Sequence, residues 1–151
     1  MVKENEEFEH PVYGKMKHIV VNTRESAIED EILIENDLTK QLVKEAGFNL
    51  SIVFGHVLWG EYIIPSKEDE ESGGQSVEGR LWDVLNVFKF MGVPEMFEHV
   101  GEGQFRPKNR TVDFEVDFVV DGKVETVEIW AALTCEQDGK PAINIFLPSE
   151  Y

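Results

Sequence analysis

Cysteine occurs once, at Cys135, so no disulfide can form within the sequence and the fold needs no oxidising compartment. Long apolar runs are missing too. Nothing approaches the roughly 20 residues needed to span a bilayer, and the opening MVKENEEFEHPVYGKMK has no apolar signal core. A cytoplasmic protein with no membrane partner is expected, and the sequons at Asn49-Leu50-Ser51 and Asn109-Arg110-Thr111 read as coincidental. Basic residues are scarce: 14 Lys and Arg stand against 30 Asp and Glu, a formal net charge of −16. Such a field repels nucleic acid and favours cations or basic protein surfaces, over a range that salt limits. Direct nucleic-acid binding is the partner class this charge most disfavours.

Catalytic signatures are likewise missing. There is no GxxxxGK[ST] loop, and Gly139-Lys140 runs into Pro141. GxGxxG and the GxSxG nucleophile elbow are absent, and Gly101-Glu102-Gly103 lies in a polar stretch read as a loop with no preceding strand. Cys135 has no histidine near it in sequence and reads as a small packing residue. Glu6, Glu9 and His10 lie in a stretch without sustained periodicity, where ordering a metal shell would be costly. A non-enzymatic protein without metal or cofactor is the expectation.

What is present is a folded composition: 42% hydrophobic residues, ten of them Phe, in 151 residues. That length suits one domain burying roughly 68 to 70% of its unfolded surface. Residues 1–16 read as a flexible acidic arm, although Phe8, Val12 and Tyr13 could dock on a neighbour, and residues 17–151 as a single α+β domain. KHIVV (17–21) and EILIE (31–35) read as extended, and Thr23 as the cap of a short helix RESAIED. Asp37 is expected to cap LTKQLVKEA, which Gly47 ends. A helix is expected over IVFGHVLWGEYI (52–63), where Ile52, Val53, His56, Trp59 and Gly60 fall at helical spacings. PSKEDEESGGQ (65–75), with four consecutive acids and a Gly pair, reads as a mobile surface loop. Ser76 opens the strongest helix, VEGRLWDVLNVFKFM, with a stripe of Leu81, Val84, Leu85, Phe88 and Met91 broadened by Trp82 and Val87.

The C-terminal third predicts a three-stranded antiparallel meander, 111–120, 123–135 and 141–147, packed against those helices. Val112, Phe114, Val116 and Phe118 alternate with polar residues, the period of a strand with one wet face. A two-residue Asp121-Gly122 turn pairs Val120 with Lys123 and so sets Val116 against Val127, Phe114 against Ile129 and Val112 against Ala131. At the next turn, two residues would oppose Leu133 to Asn144. Three residues, Gln137 to Gly139 with Gly139 left-handed, oppose Leu133 to Ile143, and this loop is predicted.

In that register the wet face carries Asp113, Glu115 and Asp117 in a row, with Glu128 directly opposite Glu115. Like charges facing each other cost roughly 0.2 to 1 kcal/mol, so the row either guards the sheet against aggregation or binds something. Alternate residues recur about every 6.6 Å, and a basic groove could accept such carboxylates in place of phosphates that rise about 3.4 Å per step on a DNA strand. The expected partner is a basic protein, with Trp130 as an aromatic anchor and Glu68, Asp69, Glu70 and Glu71 as an accessory contact. Calcium is disfavoured, because three acids on a flat strand cannot easily converge six oxygens. Homodimerisation through a strand edge is a further option.

The alternative is a small-ligand pocket between the sheet and the Arg80-Leu81-Trp82-Asp83 helix, with His56 and Trp59. Arg80 and Asp83, three apart, could also form an ordinary ion pair.

The segments HIVVNTRESAIEDEILI, VKEAGF, VLWGEYI, EGRLWDVLNV and CEQDGKPAINIFLPSE occur in that order. Over residues 18–150 they resemble an uncharacterised family of small proteins from bacteria, phages and plasmids with a GRLWDVL helix and a C-terminal DGxPxIxIxLP hairpin. Members often carry a basic segment after the long helix, where this chain has FMGVPEMFEHVGEGQF. The resemblance implies a mobile-element accessory protein, a setting in which small acidic proteins that block host enzymes or defence systems recur; the target expected here is a host nucleic-acid-binding or antiviral-defence protein. It supplies no residue roles.

Overall fold

The computed structural model describes residues 23–151, and the expectations for an arm at 1–16 and a strand at 17–21 lie outside them. Thr23 caps helix α1 (Arg24–Glu29) through its side chain, as its position predicts. A two-residue strand β1 (Leu33–Ile34) follows, and then α2 (Asp37–Glu45). The cap of α2 is Asn36 rather than Asp37: Asn36 and Thr39 each accept the other's backbone N–H at 2.9 Å, a reciprocal arrangement that leaves Asp37 inside the first turn.

The expected helix over 52–63 is two elements. Ser51–Gly55 is strand β2, and only His56–Leu58 (α3) with the wider π turn Trp59–Ile63 is helical. Ile52, Val53 and Phe54 are all buried. A strand covered on both sides shows a continuous apolar run instead of alternation, which period alone cannot separate from a buried helix.

The acidic loop at 65–75 is also ordered as helix α4 (Lys67–Gly73), capped by Ser66 and ended by Gly74 at φ +68°. Its first turn holds Glu68, Asp69 and Glu70, where the helix dipole favours negative charge. Ser76 caps α5 (Val77–Val87). Leu81, Val84, Leu85 and Phe88 are buried as the stripe predicts, but Trp82 is 38% and Met91 63% exposed. The π turn Phe88–Gly92 advances less per residue than an α turn and carries Met91 off the stripe. α6 (Val93–Met96) leads into a hairpin of β3 (Phe97–Gly101) and β4 (Gln104–Pro107), so Gly101-Glu102-Gly103 is a hairpin turn after a strand, not an unstructured loop.

The meander forms as β5 (Thr111–Val120), β6 (Lys123–Cys135) and β7 (Pro141–Phe146). The pairs Val112 with Ala131, Phe114 with Ile129, Val116 with Val127 and Leu133 with Ile143 are the predicted ones. Glu136 N–H donates to Lys140 O at 2.7 Å, closing a three-residue loop with Gly139 at φ +89°. The sheet extends beyond the meander, in the order β1-β2-β7-β6-β5, with β2 parallel to β7 and every other pair antiparallel.

One face of this α+β sheet packs Phe54, Phe114, Val116, Ile129 and Ile145 against Leu42, Leu81, Leu85 and Phe88 of the helices. Each fully buried side chain of this size contributes about 1.5 to 3 kcal/mol. On the other face α1 lies by β1 and reaches the β2–β7 half through Arg24, whose Nε donates to Asn144 Oδ1 at 2.8 Å and Nη2 to Ser51 Oγ at 3.0 Å. No described element covers the β5–β6 half of that face, where Asp113, Glu115, Asp117, Thr126 and Glu128 are all exposed.

Candidate acidic binding face

The period-2 pattern of β5 and the Asp121-Gly122 turn bring Asp113, Glu115 and Asp117 onto one face, with Glu115 paired to Glu128, Asp113 to Trp130 and Asp117 to Thr126. Asp121 and Gly122 have φ +53° and +76°, the left-handed pair that a two-residue turn requires. Thr126 donates to Asp117 Oδ1 at 2.6 Å, and Trp130 Nε1–H donates to Glu128 Oε2 at 2.9 Å. Among the described residues, none of the four carboxylates has a cation within ion-pair distance. Asp117 and Glu128 thus each accept one neutral hydrogen bond, while the negative charge of all four carboxylates stays unpaired among the described residues.

Trp130 borders the row as expected. It is half-buried, edge-on to Tyr151 at 5.2 Å, and Tyr151 stacks on Phe146 at 5.8 Å. This aromatic cluster flanks the acids and was not foreseen, because Tyr151 carries no periodic signal at the chain's end.

The accessory contact is corrected by one residue. Glu68, Glu70 and Glu71 are exposed, but Asp69 is 5% exposed and turned inward. Its Oδ2 accepts the Asp121 N–H at 3.0 Å and lies 3.8 Å from Arg80 Nη2. The Asp121 N–H above all holds its carboxyl below the usual range, against the opposing effect of burial.

Arg80, 4% exposed, is committed to the fold. It donates to Tyr62 O at 2.6 Å, to Val119 O, and to Gln75 Oε1 at 3.2 Å, and it lies over the Phe118 ring at 5.8 Å. Its carboxylate partner is Asp69, not Asp83. The predicted ligand pocket of Arg80, Trp82, Asp83, His56 and Trp59 is not assembled: Arg80 points into the sheet, whereas Trp82 and Asp83 stand on the open side of α5. Trp59 packs on Phe54 at 6.2 Å. His56 sits apart, its Nδ1 3.2 Å from Ile32 O and 3.8 Å from Glu150 Oε1.

Two features escaped the sequence reading. A groove of about 640 Å³ lies between Trp82, Asp83, Asn86 and Val87 on α5 and Glu115, Val116 and Asp117 on β5. Partial loss of water raises the Asp83 carboxyl above the ordinary aspartate value. A second groove, about 660 Å³ and largely apolar, opens across the sheet near Ala27, Leu33, Ala132, Phe146 and Tyr151. Among the described residues no cluster of three His, Cys, Asp or Glu is placed to hold a metal ion, and no helix is long and apolar enough to cross a membrane.

Comparison of the chain with protein-family models, curated proteins and solved structures returns no match.

Proposed function

We propose that this is a non-enzymatic binding protein whose acidic β5–β6 face occupies a basic surface on another protein. The observation that carries the reading is the Glu115–Glu128 pair within a row of exposed carboxylates that no described cation neutralises. Folding gains nothing from that pair. A basic partner would convert the repulsion into attraction and would be drawn in at long range by the net charge of −16. Alternate residues of a strand face recur about every 6.6 Å, a row of carboxylates that a basic groove could accept in place of phosphates rising about 3.4 Å per step along each DNA strand. The reading thus extends to a DNA mimic directed at a nucleic-acid-binding or defence protein, and the family resemblance is what suggests a mobile-element setting. Asp113, Glu115, Asp117, Glu128 and Trp130 form the contact, with Glu68, Glu70 and Glu71 beside it.

The test is retention of proteins from a nuclease-treated bacterial lysate by the tagged chain and by its Asp113→Asn, Glu115→Gln, Asp117→Asn triple variant. A basic protein held at low salt, released as salt rises and not held by the folded variant is the expected result. Equal retention by the variant would overturn the assignment of this face.

A further inference from the structure

The hairpin fixes which main-chain groups of β5 look away from the sheet. Residues flanking a two-residue turn exchange both of their N–H···O bonds, and bonding alternates from there. Val120, Phe118, Val116 and Phe114 therefore bond to β6, while Val119, Asp117, Glu115 and Asp113 direct N–H and C=O outward. Two contacts agree with this phase: Arg80 donates to Val119 O, and Leu133 N–H donates to Arg110 O on the β6 side.

Among the described residues β5 is the last strand of the sheet, and their hydrogen bonds close one end of its outer edge. Arg80 occupies Val119 O and Asp69 accepts the Asp121 N–H. From Asp113 to Asp117, no hydrogen bond among the described residues engages the outward N–H and C=O groups. The register there is regular, without a bulge, and residues 111–120 contain neither Lys nor Pro; the charges that guard this edge are the acids Asp113, Glu115 and Asp117, which repel another acidic strand but not a basic one. The groove between this edge and Trp82, Asn86 and Val87 leaves room alongside it.

We infer that the β5 edge from Asp113 to Asp117 accepts a basic extended segment of a partner protein as a sixth strand. The inference rests on the acidic-face reading and specifies its mode. Main-chain bonds supply affinity in such strand addition, and side-chain sites supply selection. Side chains of an added strand alternate in direction. One set falls on the wet face beside Asp113, Glu115 and Asp117, and the other against Trp82 and Val87. The segment recognised therefore alternates Arg or Lys with apolar residues. A second copy of this chain is disfavoured as the occupant, because β5 against β5 would set two acidic rows side by side.

The full chain is titrated with the labelled peptide Arg-Val-Arg-Val-Arg-Val, with Arg-Arg-Arg-Val-Val-Val, and with two forms of the first, N-methylated at every Arg or at every Val. Expected are at least tenfold tighter binding of the alternating peptide, loss of binding in only one methylated form, and slowed hydrogen exchange at the Asp113, Glu115 and Asp117 amides. Equal binding of all four peptides would overturn strand addition and leave the acidic-face reading standing. No binding of any peptide would overturn both. Exchange protection at those amides that grows with protein concentration, without peptide, would make a second copy the occupant and overturn the proposal.

Discussion

Glu115 and Glu128 face each other in a non-hydrogen-bonded pair of β5 and β6, the position in an antiparallel ladder where opposed side chains come closest. The pairs on either side oppose an acid to a neutral residue, Asp113 to Trp130 and Asp117 to Thr126. Glu128→Thr should therefore raise the urea midpoint by the equivalent of about 0.2 to 1 kcal/mol with an unchanged slope. The same variant should weaken retention of a basic partner. A lowered midpoint would show that Glu128 contributes to folding, through the Trp130 indole it accepts from.

Arg80 ties α5 to the end of β5 and to the π turn after α3. Arg80→Met keeps the length of the side chain but leaves the carbonyls of Tyr62 and Val119 without their donor. A loss of roughly 2 to 4 kcal/mol is expected by denaturant unfolding. Arg80→Lys should recover only part, since one ammonium cannot span both carbonyls and Gln75. Stability within 0.5 kcal/mol of the parent, on the order expected of a neutral surface change, would refute the clamp.

The folded Asp69 carboxyl titrates below its unfolded value, chiefly because the Asp121 N–H donates to it. A depressed carboxylate contributes stability that is present above the unfolded pKa and lost as pH falls through the folded one. Asp69→Asn should therefore be less stable than the parent at pH 7, and the two should converge as pH drops below the ordinary aspartate range. Parallel stability curves across that range would rule out the linkage.

Strong local signals made the meander legible in advance: strict alternation in β5, Asp121-Gly122, and a loop length that only one apolar register satisfies. Ile52–Phe54 carries no such signal, because a strand buried on both faces has no period and its parallel partner β7 lies some 90 residues away. Helix α4 was missed for the opposite reason: its side chains are almost all polar, and its tie to the fold is a single inward acid, Asp69. At the site, the acidic row could be read from β5 alone. The groove beside it could not, since it depends on where α5 crosses the strand and on the outward turn of Trp82.

Glu150 anchors the end of the chain to α3. Its carboxylate accepts N–H groups of Val57 at 2.8 Å, Leu58 at 3.2 Å and Leu147 at 2.8 Å, satisfying the first donors of a helix that has no side-chain cap of its own. Gly55 makes the approach possible, because a Cβ there would collide with that carboxylate. Glu150→Ala should cost about 1 to 3 kcal/mol. Gly55→Ala should also destabilise, and the double variant should lose less than the sum of the two, since the clash disappears with the carboxylate. Additive losses would separate the two residues.

Asp83 connects stability to binding. Loss of water raises its folded pKa, so the ionised carboxyl is a cost that appears as pH climbs through the ordinary aspartate range and is absent where both states are protonated. Asp83→Asn should accordingly be more stable than the parent at pH 7 and equal to it near pH 3. An arginine on the wet face beside Glu115 and Asp117, which line the same groove as Asp83, would bring positive charge near this carboxylate, so the substitution that stabilises the free protein should weaken its hold on the alternating peptide. Binding by the parent should also strengthen as pH rises through the raised Asp83 value, and in Asp83→Asn that part of the pH dependence should be lost. Calorimetric titrations of parent and variant at several pH values check both effects. A variant that is more stable and binds as tightly at every pH would take Asp83 out of the contact and leave the added strand to Glu115, Asp117 and the main chain.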